Sequence, residues 1–256
     1  MTNSPAVTVS NACLRYQNQI LFDHLNFHLP AGQTTCLLGP SGIGKTSILQ
    51  LIAGLNTANA NAGRPLAYED ASLKNVSASD QQNLYGRIAY LPQSDALLPW
   101  LSVIENVLLG YRLRGQKRPT EQAEILLHQL GLTHALKKYP AQLSGGMQQR
   151  VALARVLLEN KPIILMDEPF SSLDTITRHQ LHTLSVQLLT NRTVLLVTHD
   201  PLEALRLGHH IAIMSGRPAK IDYLQFAFDD APPRALSNLK LLQWQSQLLD
   251  RLEEVY

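Results

Sequence analysis

A glycine-rich segment near residue 40 has the residue types that bind phosphate. Residues 39–46 read GPSGIGKT. Glycine lets the backbone bend until successive N–H groups point at phosphate oxygens, and a helix that starts there adds its positive end. We expect Lys45 to contact the β- and γ-phosphates of a nucleotide and Thr46 to contact its Mg²⁺. The predicted nucleotide contacts are Gly39, Pro40, Ser41, Gly42, Ile43, Gly44, Lys45, Thr46 and Ser47.

Two adjacent carboxylates end an apolar segment farther along the chain. The sequence PIILMDEPF places Asp167 and Glu168 at its polar end, and ligands of parallel sheets bind at the carboxyl ends of strands. Asp167 is expected to hold Mg²⁺, and Glu168 to polarise the attacking water as a general base. Surface charge is the alternative for an isolated pair, but together with the phosphate loop the pair predicts hydrolysis of a nucleoside triphosphate.

A third segment, LSGGMQQR at residues 143–150, combines a helix cap with two glycines. Ser144 suits the N-cap of the amphipathic helix that follows. A capped helix does not require Gly145 and Gly146, which leave backbone N–H groups bare at a helix start. The segment therefore predicts a second anion site on the same chain.

Alternating apolar patterns place these segments on a predicted α/β fold. Apolar runs interpreted as strands precede the phosphate loop, end in the paired carboxylates, and recur as RIAYLPQ, TVLLVT and HHIAIMS. Helical periodicity lies between them, which is typical of a parallel sheet covered by helices. Val7 and Val9 alternate with polar residues, as do Leu25, Phe27 and Leu29, so a small antiparallel sheet is expected near the N-terminus.

Two regions interrupt this alternation. Residues 101–159 are helical throughout, which predicts an inserted helical subdomain. Residues 56–83 are rich in Asn, Ala, Ser and Asp and are interpreted as mostly loop. The predicted class is thus a P-loop NTPase with a RecA-like parallel-sheet core, an N-terminal antiparallel β subdomain and an inserted helical subdomain.

Composition argues against several classes of function. The 256 residues carry a net charge of +2, too little for a nucleic-acid footprint. The apolar runs fall well short of the about 20 residues that span a bilayer, so any membrane role requires a partner. The two cysteines and nine histidines show no metal-ligand spacing, and no protein-bound metal is expected beyond the Mg²⁺ of the nucleotide.

With these motifs the chain resembles the ATP-binding-cassette (ABC) ATPase family, whose signature LSGGQ stands here as LSGGM. Six motifs occur in the family's order between residues 7 and 216. The resemblance implies that Ser144, Gly145, Gly146 and Met147 close on the γ-phosphate held by a second ATPase subunit. That subunit is most simply another copy of this chain, although a similar subunit is an alternative.

The resemblance also implies roles for four further residues. Gln93 matches the glutamine that senses Mg²⁺ and the γ-phosphate, and Asp174 in SSLD matches the D-loop that crosses the dimer interface. His199 matches the switch histidine, and Tyr16 the aromatic residue that stacks on adenine. The implied catalytic residues are Lys45, Gln93, Glu168 and His199, and the implied Mg²⁺ ligands are Thr46, Gln93 and Asp167.

The expected organisation is one ABC ATPase domain with a short tail. The domain spans residues 1–222, of which 1–93 and 160–222 form the nucleotide-binding core and 94–159 the helical signature subdomain. Residues 223–256 form a tail with an amphipathic helix. Packing of this helix on the chain's own core is the first expectation, and contact with a permease or the second subunit is the alternative.

Two segments resemble the importer branch for nitrate, sulfonate, taurine and thiamine-precursor compounds. They are LLPWLSVIENV and MSGRPAKI. The resemblance implies integral membrane permease subunits as partners, a periplasmic or extracellular solute-binding protein as an indirect partner, no nucleic acid, and a location at the cytoplasmic face of the inner or plasma membrane. Residues 97–100 either pack inside the helical subdomain or line an exposed groove for the permease.

Two other function classes remain as alternatives. A soluble ABC ATPase that acts on nucleic acid or ribosomes usually carries two cassettes or long coiled-coil insertions, and this sequence shows neither. A P-loop kinase or GTPase has no reason to carry LSGGM between its phosphate loop and its acidic strand.

Overall fold

The computed structural model describes residues 4–16, 19–55, 76–228 and 230–255. The strands are β1 (Val7–Tyr16), β2 (Gln19–Leu29), β3 (Thr34–Leu38), β4 (Val76–Ala78), β5 (Ile88–Leu91), β6 (Ile163–Asp167), β7 (Thr193–Val197), β8 (His210–Ser215) and β9 (Lys220–Leu224). The helices are α1 (Lys45–Ile52), α2 (Val103–Val107), α3 (Leu109–Leu113), α4 (Thr120–Gln129), α5 (Gly145–Leu158), α6 (Thr175–Leu188), α7 (Pro201–Leu207) and α8 (Leu239–Glu253).

A six-stranded sheet forms the centre of the molecule, in the order β5-β6-β7-β3-β8-β9. Its strands pair in parallel except β9, which pairs antiparallel with β8. In β3, Cys36 and Leu38 face one hydrophobic core while Leu37 faces the other. Since side chains alternate across a strand, an all-apolar strand buries both faces. The predicted α/β class with a parallel-sheet core is confirmed.

A three-stranded antiparallel sheet, in the order β2-β1-β4, packs over one face of the central sheet. Leu25, Phe27 and Leu29 are buried as their alternation predicts. Within residues 56–83, interpreted as mostly loop, residues 76–78 form the short strand β4, which pairs with β1 at Val7, and residues 79–83 form no helix or strand. Three residues are too few to show a periodicity. The rest of that prediction, residues 56–75, lies outside the described residues.

The predicted helical subdomain contains helices α2 to α5. It packs through α5 onto the other face of the central sheet. Val151, Ala154 and Leu158 are buried and form the apolar face of the amphipathic helix predicted after Ser144. They belong to one continuous core that also contains Leu127 of α4 and Met166 of β6. The helix that carries the signature therefore contacts β5 and shares one core with the neighbouring strand β6, which leads into the carboxylate pair.

The tail helix α8 packs on the chain's own core, as first expected. Leu241, Leu248 and Leu252 are buried, whereas Leu239 and Leu242 are exposed on the opposite side. α8 packs on α7, a helix that the sequence analysis did not predict. In the part of the chain that the structure describes, no helix is both long and apolar enough to cross a bilayer.

Candidate functional site

The phosphate loop runs between the end of β3 and the start of α1, and its glycines have conformations that other residues rarely adopt. Gly42 and Gly44 have φ angles of +74° and +112°. At Gly39, φ is +147° and an added Cβ would lie 2.3 Å from the carbonyl oxygen of Met214 on β8. These positions require glycine because a side chain would clash or strain the backbone.

Lys45 begins α1, and its side chain turns back into the loop. The ammonium group donates to the carbonyl oxygens of Gly39 (2.7 Å) and Pro40 (2.8 Å). Burial lowers the pKa of Lys45, and the charges of Glu168 and Asp167 act in the opposite direction. The ammonium is therefore a positive charge held inside the loop, where phosphate oxygens would meet it.

Thr46 and Asp167 meet at the junction of α1 and β6. The Thr46 hydroxyl donates to Oδ2 of Asp167 over 2.7 Å. Asp167 is only 2% exposed, and burial raises the pKa of its carboxyl group, a shift that the Thr46 hydrogen bond partly offsets. A hydroxyl and a carboxylate that point at each other supply the hard oxygen donors that Mg²⁺ prefers.

Glu168 stands just after β6 in an uncommon backbone conformation. Its φ is +50°, in the left-handed region that non-glycine residues rarely occupy outside functional sites. Its N–H donates to the carbonyl oxygen of Val197 over 2.9 Å, which fixes this turn to β7. Glu168 Oε2 lies 3.3 Å from Nδ1 of His199 and 3.4 Å from Nε2 of Gln93. Two residues from two other segments, Gln93 and His199, thus converge on one carboxylate oxygen of Glu168.

Glu168 and Gln93, but not His199, line a pocket of about 390 Å³ together with the phosphate loop. Its lining consists of Leu21, Ser41, Gly42, Gly44, Lys45, Thr46, Ser47, Gln93, Asp167 and Glu168. The Ile43 side chain is buried in the core instead, so only its backbone can face a ligand. Leu21 of β2 joins the lining without any signal in its sequence context. Tyr16 ends β1, but its side chain lies outside what the structure describes.

The signature residues lie at the exposed start of α5. Ser144 is the N-cap, and its hydroxyl accepts from the N–H of Met147 over 3.3 Å. Ser144 and Gly145 are exposed, and neither they nor Gly146 belong to the pocket lining given above. A Cβ on Gly146 would lie 3.3 Å from the carbonyl oxygen of Ser172, so glycine allows the segment after Glu168 to approach α5 closely.

The side chain of Gln149 links α5 to the segment that follows β6, a role that the sequence analysis did not predict. It is 4% exposed, and its amide nitrogen donates to the carbonyl oxygen of Glu168 over 3.0 Å. Its amide oxygen accepts from the N–H of Ser172 over 3.1 Å. The only sequence signal is a polar residue between apolar positions of a buried helix, where its amide needs partners.

Asp174 lies on the same connection and caps α6. Its carboxylate accepts from the N–H of Thr177 over 3.0 Å. This local contact is an ordinary N-cap, and Asp174 is not part of the pocket lining. The role of Asp174 at a dimer interface stays a prediction.

Comparisons with known proteins agree with this geometry. The sequence model of a family described as ABC transporter matches residues 22–171. An uncharacterized ABC transporter ATP-binding protein of Haemophilus influenzae is 40% identical over 250 residues, covering 96% of this chain and 98% of the relative. The aliphatic sulfonates import ATP-binding protein SsuB of Escherichia coli (strain K12) is 36% identical over 239 residues, covering 93% and 87% respectively.

A solved structure extends the likeness to three dimensions. A dimeric structure of a post-hydrolysis state of an ATP-binding cassette, bound to ADP and Pi, has a TM-score of 0.69 and 27% sequence identity. The match covers 86% of this chain and 99% of that one.

Proposed function

The chain belongs to the ABC transporter family of ATP-binding proteins, and on that premise we propose that it hydrolyses ATP between two subunits to drive solute import through a membrane permease. The chain is an ATPase subunit. Import is supported by the sulfonate import names of relatives that align with nearly the whole chain. The further partners proposed are the permease at the cytoplasmic membrane face and, indirectly, an external solute-binding protein.

The convergence of Gln93 and His199 on Glu168 carries the proposal. A carboxylate beside the pocket, with its Oε2 flanked by an amide and an imidazole, is suited to accept a proton from an attacking water. Lys45 lines the same pocket and brings the positive charge that phosphate oxygens require. Phosphoryl transfer depends on such positioning and charge stabilisation more than on covalent chemistry.

Each remaining pocket residue has a proposed part in binding the nucleotide. Thr46 and Asp167, with Gln93, would hold Mg²⁺, which when bound neutralises negative charge between the β- and γ-phosphates. The N–H groups of the loop and of the first turn of α1 orient the phosphates. Tyr16 is proposed to stack on adenine.

The signature residues are proposed to act on the nucleotide of a second subunit. Ser144 and Gly145 are exposed and lie outside the pocket of their own chain, yet they present bare N–H groups at the start of a 14-residue helix. An anion bound there must come from outside this chain's own pocket. In a head-to-tail pair of subunits, the signature of each subunit would contact the nucleotide bound in the pocket of the other.

A loop beside Gln93 offers the surface for the permease. Trp100 is 69% exposed, while Asn106 beneath it is fully buried. The Asn106 side chain accepts from the N–H of Leu98 over 2.8 Å and donates to the carbonyl oxygens of Leu98 and Leu101. The proposed docking surface rests on this large exposed aromatic side chain, of a type enriched at interface hot spots, next to a loop that the buried amide of Asn106 fixes in place.

Dimer formation by the full chain tests this function. In the Glu168→Gln variant, ATP with Mg²⁺ is expected to convert the monomer to a dimer in light scattering, because bound ATP is no longer consumed. Adding Ser144→Arg should abolish the dimer, whereas Thr120→Arg at the exposed start of α4 should leave it intact. A dimer that survives Ser144→Arg would contradict the role of the signature.

A further inference from the structure

A cluster of three possible metal ligands lies on the antiparallel sheet, apart from the nucleotide pocket. One ligand atom each of Cys13, Asp23 and His24 lies within 4.8 Å of the other two. No other group of three His, Cys, Asp or Glu side chains in the described ranges comes this close together. None of the three residues lines the nucleotide pocket.

A β-bulge brings these residues together. Ala12 pairs with Leu25 and Leu14 pairs with Phe22, so Cys13 alone opposes the two residues Asp23 and His24. Ala12 and Leu14 point into the core, which puts the Cys13 side chain on the outer face of the sheet. An extra residue in one strand re-aims its side chains, and both Asp23 and His24 are exposed on that face.

The distances within the cluster match those between ligands of one ion. Sγ of Cys13 lies 3.0 Å from Oδ1 of Asp23, and Nε2 of His24 lies 3.7 Å from the same oxygen. Ligands at about 2.0–2.3 Å from a tetrahedral Zn²⁺ are about 3.3–3.8 Å apart. The third pair, Cys13 and His24, has ligand atoms within 4.8 Å of each other, so small side-chain movements would bring the three atoms to metal-ligand spacing.

The imidazole of His24 is oriented by a second layer of contacts. Its Nδ1 hydrogen-bonds the side-chain oxygen of Asn11. The backbone N–H of Asn11 donates to Oδ1 of Asn26 over 2.9 Å, and the amide nitrogen of Asn26 donates to the carbonyl oxygen of His24 over 3.0 Å. With the proton on Nδ1 given to an amide oxygen, Nε2 keeps its lone pair on the side of Asp23. Metal-ligating histidines are held in this way.

We propose that Cys13, Asp23 and His24 bind a Zn²⁺ ion, with water as the fourth ligand. Thiolate and imidazole favour Zn²⁺, whereas Mg²⁺ favours sites made only of oxygen donors. On binding, the thiol releases its proton to solvent and the imidazole stays neutral. The thiolate and the carboxylate then balance the charge of the ion. The site joins β1 to β2, so occupancy is expected to raise the midpoint of thermal unfolding.

Cobalt spectroscopy on the full chain tests the proposal. Co²⁺ substitutes for Zn²⁺ and gives a thiolate-to-cobalt charge-transfer band only where sulfur is a ligand. In nucleotide-free, Mg²⁺-free buffer the wild-type protein is expected to show this band at one Co²⁺ per chain, and Zn²⁺ should displace it. Cys13→Ser should lose the band, His24→Gln should weaken Co²⁺ binding, and Asn11→Ala should weaken it by about 10–100-fold.

Matched variants separate this site from other cation sites. Cys36→Ala removes the fully buried second cysteine, and His128→Gln an exposed histidine on α4, so both should keep the band. ATP binding and circular dichroism verify that each variant is folded. If Cys13→Ser does not fold, the loss of Co²⁺ binding in His24→Gln tests the site instead. A wild-type protein without the band, or a band that survives Cys13→Ser or His24→Gln unchanged, overturns the proposal.

Discussion

Nδ1 of His199 lies 3.3 Å from Oε2 of Glu168, across the gap between the ends of β7 and β6. The Glu168 side chain is largely buried at 19% exposure, whereas that of His199 is 58% exposed. The carboxylate of Glu168 thus lies inside the site, and the imidazole of His199 approaches it from the solvent-exposed side. This arrangement predicts different effects for changes at the two residues.

Replacing Glu168 with Gln should lower ATP turnover by about 10²-fold or more, because the amide cannot accept the proton of the attacking water. ATP binding should persist, since Lys45 and the loop are untouched. Phosphate release and equilibrium binding of ATP measure the two effects. Glu124→Gln on the exposed side of α4 is the control and should match wild type. Turnover at the wild-type rate in Glu168→Gln would mean that another group is the base.

Replacing His199 with Ala should slow turnover by about 10²-fold with little loss of stability, because the side chain is mostly exposed. His199→Gln retains a hydrogen-bond donor and should recover part of the rate. Single-turnover assays with bound ATP measure the chemical step, and thermal unfolding measures stability. Equal rates for the Ala and Gln variants would exclude a role for a donor at this position.

Asp167 should make the nucleotide-free protein less stable than its Asn variant. Burial raises the pKa of Asp167, so the folded state binds the proton more tightly than the unfolded state. Stability is therefore lost as pH rises from the ordinary carboxyl range through the raised pKa. The Asn side chain in Asp167→Asn still accepts a hydrogen bond from Thr46. Because it does not ionise, it does not cause this loss of stability at higher pH.

The expected result is a higher unfolding midpoint for Asp167→Asn at neutral pH and no difference below the ordinary carboxyl pKa. Each kcal/mol of such a penalty would correspond to about 2–4 °C in a chain of this size. Mg²⁺-dependent turnover should fall in the same variant. Thermal unfolding across the pH range is the measurement, and a midpoint difference that does not change with pH would contradict the assignment.

Local patterns were sufficient to predict the main elements and the pocket. The GKT segment and the apolar strand ending in Asp167 and Glu168 each carry their own signal, because loop conformation and strand burial depend on nearby residues. Contacts between residues of different helices and strands could not be predicted from local sequence patterns. Gln149 reaches Glu168 only after α5 packs on β6, and Cys13 meets His24 only through a bulge. Strand β4 exists only because β1 offers it an edge.

Gln149 should control the position of Glu168 as well as stability. In Gln149→Leu the carbonyl oxygen of Glu168 and the N–H of Ser172 lose their buried partner, which costs about 1–3 kcal/mol. Turnover number should fall at least tenfold with little change in KM for ATP. Gln148→Leu is the matched control, because its amide contacts Pro140 and Leu143 instead. Equal turnover numbers in the two variants would show that Gln149 contributes to stability and does not position Glu168.

Trp100 should be needed for assembly with the permease and not for folding or ATP binding. Its side chain is 69% exposed, so Trp100→Ala removes few internal contacts and should change stability by no more than about 0.5 kcal/mol. Buried aromatic anchors dominate many interfaces, and loss of one should prevent co-purification with the membrane permease. Leu113→Ala, at a residue 77% exposed on α3, is the matched control. If both variants retain the permease equally, the loop around Trp100 is not the docking surface, because its one large exposed side chain would then contribute no more than an arbitrary surface leucine.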